Sequence, residues 1–497
     1  MPYDIASVIK QDEIDRFLAQ HRDFINDDAI ERALKEHRNP DPKKVREILA
    51  KALDIVSIEP QETATLLNVT DPQMWEEMFD TAAKIKRKVY DNRVVTFAPL
   101  YCADLCVNNC LYCGYRSDNG AMKRRMLTVD EVKEEVKVLA GKIGHKRLVM
   151  VYGEHPQTGA DYICETMQAA YSVKVPIGGG KRNGEIRRVN INAAPQSIAD
   201  YKKIKEAGIG TFQVFQETYH HETYAKMHPA NTIKGNFGWR LYALHRAQAA
   251  GIDDVSVGAL FGLYDWRFEV MGLSEHAKDL ERQFGVGPHT VSVPRIRPAE
   301  NTPFAQRTGH EVSDEDFKKI VCVLRLAIPY AGLIVTCREK PEMFRQVVQM
   351  CTQRDASSRI GIGAYKDANE GQEGDRQQFM LGDTNTLDHV IRELASMGYI
   401  TSFCTAGYRC GRTGDHIMKM LRSGREGRFC KLNAVLTFRE WLDDFASPET
   451  KKIGEALIQK EIAEVKGRMP AEFTEEMFNT LLSYYERISS GERDICF

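Results

Sequence analysis

No apolar run in this 497-residue chain approaches the roughly 20 residues needed to cross a bilayer, so no membrane span is expected. Excess charge of either sign is also missing: 68 Lys and Arg face 70 Asp and Glu, a net of −2. That balance argues against coating nucleic acid or acidic membrane by bulk electrostatics, and neither partner is expected. The opening residues, MPYDIASVIKQDEIDRFL, carry no basic-then-apolar leader, which reads as a cytoplasmic protein. Internal repeats and low-complexity tracts are absent. So is a phosphate loop: GGGKRNGE at 178–185 has a Gly–Lys pair without the required spacing or a following helix, and reads as a solvated loop.

The remainder is an ordinary globular composition, 43% hydrophobic and 28% charged, able to bury a sizeable core. Its length allows about three domains, or one large barrel with extensions. Residues 1–90 read as an N-terminal helical segment, with Asp41–Pro42 and Asp71–Pro72 as helix starts. From residue 91 to 384, short β-branched runs alternate with amphipathic stretches. Strands are expected at 94–100, 147–153, 187–194, 211–217, 254–260, 289–295, 333–337 and 359–365. Eight such alternations predict an α/β fold of the (β/α)8, TIM-barrel type, with a doubly wound open sheet as the alternative. Residues 385–497 read as a C-terminal helical domain.

The 12 cysteines would be kept reduced in a cytoplasm, but their spacing says more than their number. Directly after the first expected strand comes YCADLCVNNCLYCGYR, in which Cys106, Cys110 and Cys113 form CxxxCxxC. Three thiolates this close can hold three corners of an iron–sulfur cube and leave the fourth iron open for a substrate or cofactor. A zinc knuckle would want a fourth ligand, which Cys102 could supply. The loop's place at the C-terminal mouth of the expected barrel favours the cluster.

This loop resembles that of the radical S-adenosylmethionine (SAM) superfamily. The resemblance implies a 4Fe-4S cluster held by Cys106, Cys110 and Cys113, with Cys102 spare, and SAM chelated to the open iron. One electron then cleaves SAM to methionine and a 5′-deoxyadenosyl radical. VMVYGEHP resembles the segment that binds the SAM amino group, implying Gly153 and Glu154. RRVNINAAP, TFQVFQETYH, HPAN, GPHTVSVPRIRPA, EGDRQQFMLGDT and ERISSGERDICF extend the similarity to the tyrosine-lyase subgroup. Its members are the FeFe-hydrogenase maturase type (HydG) and the related 2-iminoacetate synthase type (ThiH). The subgroup implies cleavage of the Cα–Cβ bond of L-tyrosine to p-cresol and dehydroglycine. In the maturase type, dehydroglycine goes on to CO and cyanide at a second cluster for the hydrogenase H-cluster. A reducing partner of the flavodoxin or ferredoxin type and hydrogenase maturation proteins are the implied partners, and no catalytic side chain is expected beyond the cluster and the SAM-derived radical.

Polar residues on barrel strands cost free energy unless hydrogen-bonded. Asn190, Asn192 and Glu217 are therefore read as facing the cofactor, and Gln213 and Gln216 as facing the substrate, against the alternative of a satisfied core network. Arg338, immediately after LIVTC, could fork onto a substrate carboxylate. His276 matches the place where the maturase type supplies a histidine near its second cluster.

A second constellation, FCTAGYRCGRTG followed by EGRFCKLNAVLTF, contains Cys404, Cys410 and Cys430. The maturase pattern expects CxxC and a third Cys 22 residues on. Cys404 and Cys430 fill the outer positions, while Gly407 stands at the middle one. Three readings stay open: an auxiliary cluster on Cys404, Cys410 and Cys430; a weaker or different cluster; or none, which would leave a tyrosine lyase stopping at dehydroglycine. A non-catalytic iron–sulfur scaffold or carrier is a further reading. Cys164, Cys322, Cys337, Cys351 and Cys496 read as structural.

Overall fold

Short β-branched runs build the centre of the molecule, and the amphipathic stretches between them wrap it. The computed structural model describes residues 5–366, 377–409, 414–423 and 426–497. Its strands are β1 (Arg93–Ala103), β2 (Arg147–Tyr152), β3 (Lys174–Ile177), β4 (Arg182–Glu185), β5 (Arg188–Asn192), β6 (Phe212–Gln213), β7 (Val255–Gly258), β8 (Thr290–Ser292), β9 (Gly332–Ile334), β10 (Gln353–Asp355) and β11 (Ile400–Ser402). Strands β1, β2 and β5 to β10 are neighbours in that order and pair in parallel. Strand β10 returns to β1 through Val95↔Gln353 to Phe97↔Asp355, closing an eight-stranded TIM-type barrel.

Helices form where side chains satisfy their free N–H groups. Asp41 accepts from Lys43 N and Asp71 from Gln73 N, starting Pro42–Leu53 and Pro72–Tyr90. Thr128 and Glu131 form a reciprocal box at the start of Val129–Val138. Each such cap contributes about 1 kcal/mol.

The structure departs from the sequence reading in four places. The eighth strand is Gln353–Asp355, not 359–365, where Gly363 turns the chain with φ +79°. Its polar side chains are buried because each has a partner: Gln353 accepts from Arg147 (3.2 Å), Arg354 pairs with Asp383, and Asp355 accepts from Cys337 N (2.7 Å). GGGKRNGE forms the turn and second strand of the antiparallel hairpin β3–β4. The N-terminal segment, expected to be helical, is interrupted between the helices Gln11–Asp15 and Asp27–Glu36, where Phe17 and Phe24 pack on Tyr242 and His245. Strand β11 lies within the expected all-helical region and adds to β1 outside the barrel.

The helix Leu387–Ser396 precedes β11, and Gly414–Arg422, Glu426–Asp444, Pro448–Gly467 and Glu475–Ser489 follow it. Glu426–Asp444 packs at the end of the barrel where the strands begin. There fully buried Lys431 meets Asp91, Glu461 and Glu464, and Glu440 joins Lys146 and Arg187 at 2.6 Å. Among the described residues no helix is long and apolar enough to cross a membrane.

Candidate active site

The loop after β1 folds back over the C-terminal mouth of the barrel, and Cys106, Cys110 and Cys113 line one cavity there. Asn108 organises the loop. Its amide donates to Glu154, its Oδ1 accepts from Lys234 N (2.9 Å), and its carbonyl accepts from Ser117 N (2.8 Å). Cys106 receives the Asn108 amide at 3.9 Å and Cys113 the Gln378 amide at 3.5 Å. Burial pushes the Cys106 and Cys110 thiols up, Cys110 to about 12, and neighbouring sulfurs add to the rise. Three thiols gathered at one cavity, able to release their protons as they bind cationic iron, fit a cluster site, and amide donors to sulfur suit it. Among the described residues no three such side chains converge on a single ion position; ligands to separate corners of a cube are spread apart. Cys102 is fully buried in the core, away from this cavity.

The end of β2 approaches the loop so closely that a Cβ on Gly153 would lie 2.2 Å from the Leu105 carbonyl oxygen. The Glu154 carbonyl accepts from Val107 N at 2.8 Å, and burial raises its carboxyl. Asn192, Gln213 and Glu217 also line the cavity. Burial would raise the Glu217 carboxyl, but Lys234 at 2.8 Å and Arg240 at 3.0 Å outweigh it and hold it below the usual range. Arg338 reaches the same space, its guanidinium 3.3 Å over the Phe379 ring. Phe97, Val149 and Ile334 form an apolar patch among the lining residues. The cavity thus combines three thiols, the carboxyl groups of Glu154, Glu217 and Asp355, the cations Lys234, Arg240, Arg297 and Arg338, and an apolar patch, a setting for a polar amino acid with an apolar side chain.

Asn190, Gln216 and His276 do not line it. Asn190 belongs to the core, its Oδ1 accepting from Arg188 Nε and Thr211 N, both at 3.0 Å. Gln216 is buried away from the cavity. His276 lies behind the barrel wall, Nδ1 at 2.8 Å from the Tyr219 hydroxyl and its ring beside Phe24 and His245. It reaches neither this cavity nor the second cysteine site. Sequence reasoning missed Asn108, Lys234, Arg240, Arg297 and Gln378, of which Asn108, inside the CxxxCxxC loop, had a local signal.

At the opposite end of the barrel a second, smaller cavity is lined by Arg93, Cys404, Gly407, Cys430 and Cys496. An adjoining space brings in Tyr90, His289 and Gln353. The Arg93 guanidinium lies 3.7 Å from the Cys404 sulfur. His289, at the N-terminal start of β8, is the histidine beside these thiols. Cys410 lies outside the described residues.

A closed parallel barrel whose first loop presents three cysteines to its mouth is the architecture of a radical SAM enzyme. The sequence model of the Radical SAM superfamily matches residues 100–269, and the Biotin and Thiamin Synthesis associated domain matches 292–400. The crystal structure of HydG, a maturase of the FeFe-hydrogenase, is 42% identical with a TM-score of 0.89, covering 96% of this chain and 100% of that one. HydG from Carboxydothermus hydrogenoformans is 32% identical with a TM-score of 0.75, covering 96% and 99%. The 2-iminoacetate synthase of Escherichia coli (strain K12) is 27% identical over 351 residues, 70% of this chain and 87% of the relative. The chain belongs to the HydG family of radical SAM enzymes. Membership of the superfamily implies a 4Fe-4S cluster and SAM.

Proposed function

We propose that the chain is a radical SAM lyase that cleaves L-tyrosine to p-cresol and dehydroglycine and carries the product on to CO and cyanide for H-cluster assembly. The observation that carries the lyase reading is the shared cavity, lined both by the three thiols and by Arg338. When bound, the cluster and SAM supply a hydrogen-abstracting radical. Cys106, Cys110 and Cys113 hold the cluster, and Gly153 and Glu154 receive the SAM amino group. Asn192 and the Glu217 carboxylate face the cofactor; Gln213 and Arg338 orient the substrate, Arg338 through its carboxylate. Seclusion within the barrel keeps water and oxidants from a reactive radical.

Family membership supports the second half of the reading, together with Cys404, Cys430 and His289 gathered at the other end of the barrel. Gly407, standing where a thiolate is expected, favours the alternative of a lyase that stops at dehydroglycine, as 2-iminoacetate synthase does by name. Reconstituted protein given tyrosine, SAM and dithionite under anoxic conditions tests both. p-Cresol, 5′-deoxyadenosine, CO and cyanide together support the full reading. p-Cresol with glyoxylate, the hydrolysis product of dehydroglycine, but no CO supports the alternative. Neither p-cresol nor 5′-deoxyadenosine refutes the lyase. SAM cleavage also separates an enzyme from an iron–sulfur scaffold. The expected physiological reductant is a flavodoxin or ferredoxin, and the expected recipients are hydrogenase maturation proteins.

A further inference from the structure

The second cavity contains a cysteine that no spacing pattern assigns to it. Cys404 and Cys430 face a space also lined by Gly407, where the pattern expects a third thiol, and by Cys496. Cys496 is 66 residues beyond Cys430 in the chain, so only the fold brings the two together.

That approach is built into the surrounding contacts. Arg493 forks onto Asp444 with bonds of 2.8 and 2.7 Å. Asp494 donates its backbone N–H to Glu440 at 3.2 Å, and its carboxylate pairs with Arg187, also at 3.2 Å. Phe497 donates its N–H to the Asn433 side chain at 2.8 Å and sets its ring 5.4 Å from Tyr484. Asp444, Glu440 and Asn433 all belong to the helix Glu426–Asp444, which also carries Cys430. Asn433 is three residues past Cys430 and shares its face. Residues 493–497 are therefore clamped along that helix, and Cys496 lines the same space as Cys430. Arg93, its guanidinium 3.7 Å from the Cys404 sulfur, brings positive charge to a site that would gather thiolates, while Arg187, which also lines the space, is held by Glu440 and Asp494.

We infer that Cys496 supplies the third thiolate of an auxiliary iron–sulfur cluster, taking the part that Gly407 cannot, with Cys404 and Cys430 as the other two. The inference rests on the proposed second site and adds a ligand to it. Each thiol would release one proton to solvent as its sulfur binds iron, with no change of oxidation state in the protein. Residues 493–497 then become part of the cofactor site, and binding of the cluster fastens them in place.

The test uses the full chain with Cys106, Cys110 and Cys113 changed to Ala, so that bound iron and sulfide report the second site alone. After anoxic reconstitution this parent is expected to hold roughly four iron atoms. Adding Cys496→Ala should reduce iron and the charge-transfer absorbance at least five-fold, whereas adding Cys410→Ala should leave both within a third of the parent. Gly407→Cys in the Cys496→Ala background should restore iron, which a misfolded variant would not allow. Alkylation read by mass spectrometry should find Cys496 protected in reconstituted parent and labelled after chelation. Iron lost with Cys410→Ala but kept with Cys496→Ala overturns the assignment and leaves the second cluster standing. A parent that holds no iron overturns both, while first-site tyrosine cleavage by wild type stays a separate measurement.

Discussion

Replacing Lys431 by Met tests how firmly the C-terminal helices are fastened to the barrel. The Lys431 ammonium is fully buried, 3.2 Å from both Asp91 and Glu464 and in contact with Glu461. Asp91 and Glu464 keep Arg468, at 2.6 and 3.1 Å, after the change. Glu461, 2% exposed, keeps only the Asn92 amide at 2.7 Å among the described residues. The variant therefore strands one buried carboxylate, at a cost of about 3–5 kcal/mol. Unfolding entropy is about 2.1 cal/mol/K per residue, so a 497-residue cooperative unit should lose about 3–5 °C in Tm. If residues 387–497 melt as their own unit, the drop in that transition should be about 13–21 °C by the same relation. Calorimetry of the apoprotein distinguishes the two. Glu461→Gln in the Lys431→Met background should recover at least half of the loss, since it removes the stranded charge. A drop below about 1 °C, or no recovery in the double variant, refutes the reasoning. Acid supplies a second check. Burial opposes ionisation of Asp91, but Lys431 and the Arg468 bond win and hold its carboxyl down at about 2. Its contribution is present above the unfolded value near 3.8 and is lost as pH falls toward 2, and Lys431→Met should shrink that loss.

Gly153→Ala places a Cβ 2.2 Å from the Leu105 carbonyl and must displace the cysteine loop. SAM cleavage should fall about 100-fold, the scale of a 1 Å misplacement, and a rate within five-fold of wild type counts against the assigned geometry. Arg338→Lys replaces a planar fork by a point charge. The KM for tyrosine should rise about 10- to 100-fold, with a smaller effect on dithionite-driven SAM cleavage, and an unchanged KM removes Arg338 from substrate binding. His221 sits 2.8 Å from Asp27 and 3.1 Å from Asp23; burial opposes its charge, but the two carboxylates push it up to about 9. Its contribution is complete below about 6.5 and is lost as pH rises through about 9. Proteolysis of residues 5–26 should accordingly accelerate between about pH 7 and 10 in wild type and lose that dependence in His221→Gln. A His221 titration by NMR near its ordinary value would contradict this.

The barrel was legible because parallel strands buried on both sides read as β-branched runs, and seven of the eight expected positions overlap observed strands. The eighth failed for a physical reason. Gln353, Arg354 and Asp355 look like a loop until Arg147, Asp383 and Cys337, distant in sequence, satisfy them. The first cysteine loop was legible for the opposite reason, since all its thiols lie within eight consecutive residues. Its charged surroundings were not: Lys234 and Arg240 reach Glu217 only through the fold.

The two histidines show what kind of reasoning would have gone further. His276 stands within the helix Trp266–Phe284, and a helix of a (β/α)8 barrel lies outside the strands, so its side chain faces the outer layer unless it points inward between them. It packs on Phe24 and Tyr219, as that position predicts. His289 stands immediately before β8 and must lie at the end of the barrel where strands begin, because all eight run in parallel. Strand β11 joins β1 near its start, Arg93 opposite Ile400, so the Cys404 that follows it is held at that same end. Strand polarity and the β11–β1 pairing therefore place Cys404 and His289 at the same end, where both line one space, across the barrel from Cys106, Cys110 and Cys113. Spacing located the thiols of the first site; locating the second required knowing which end of each strand a residue occupies, and for Cys496 which helix its segment lies along.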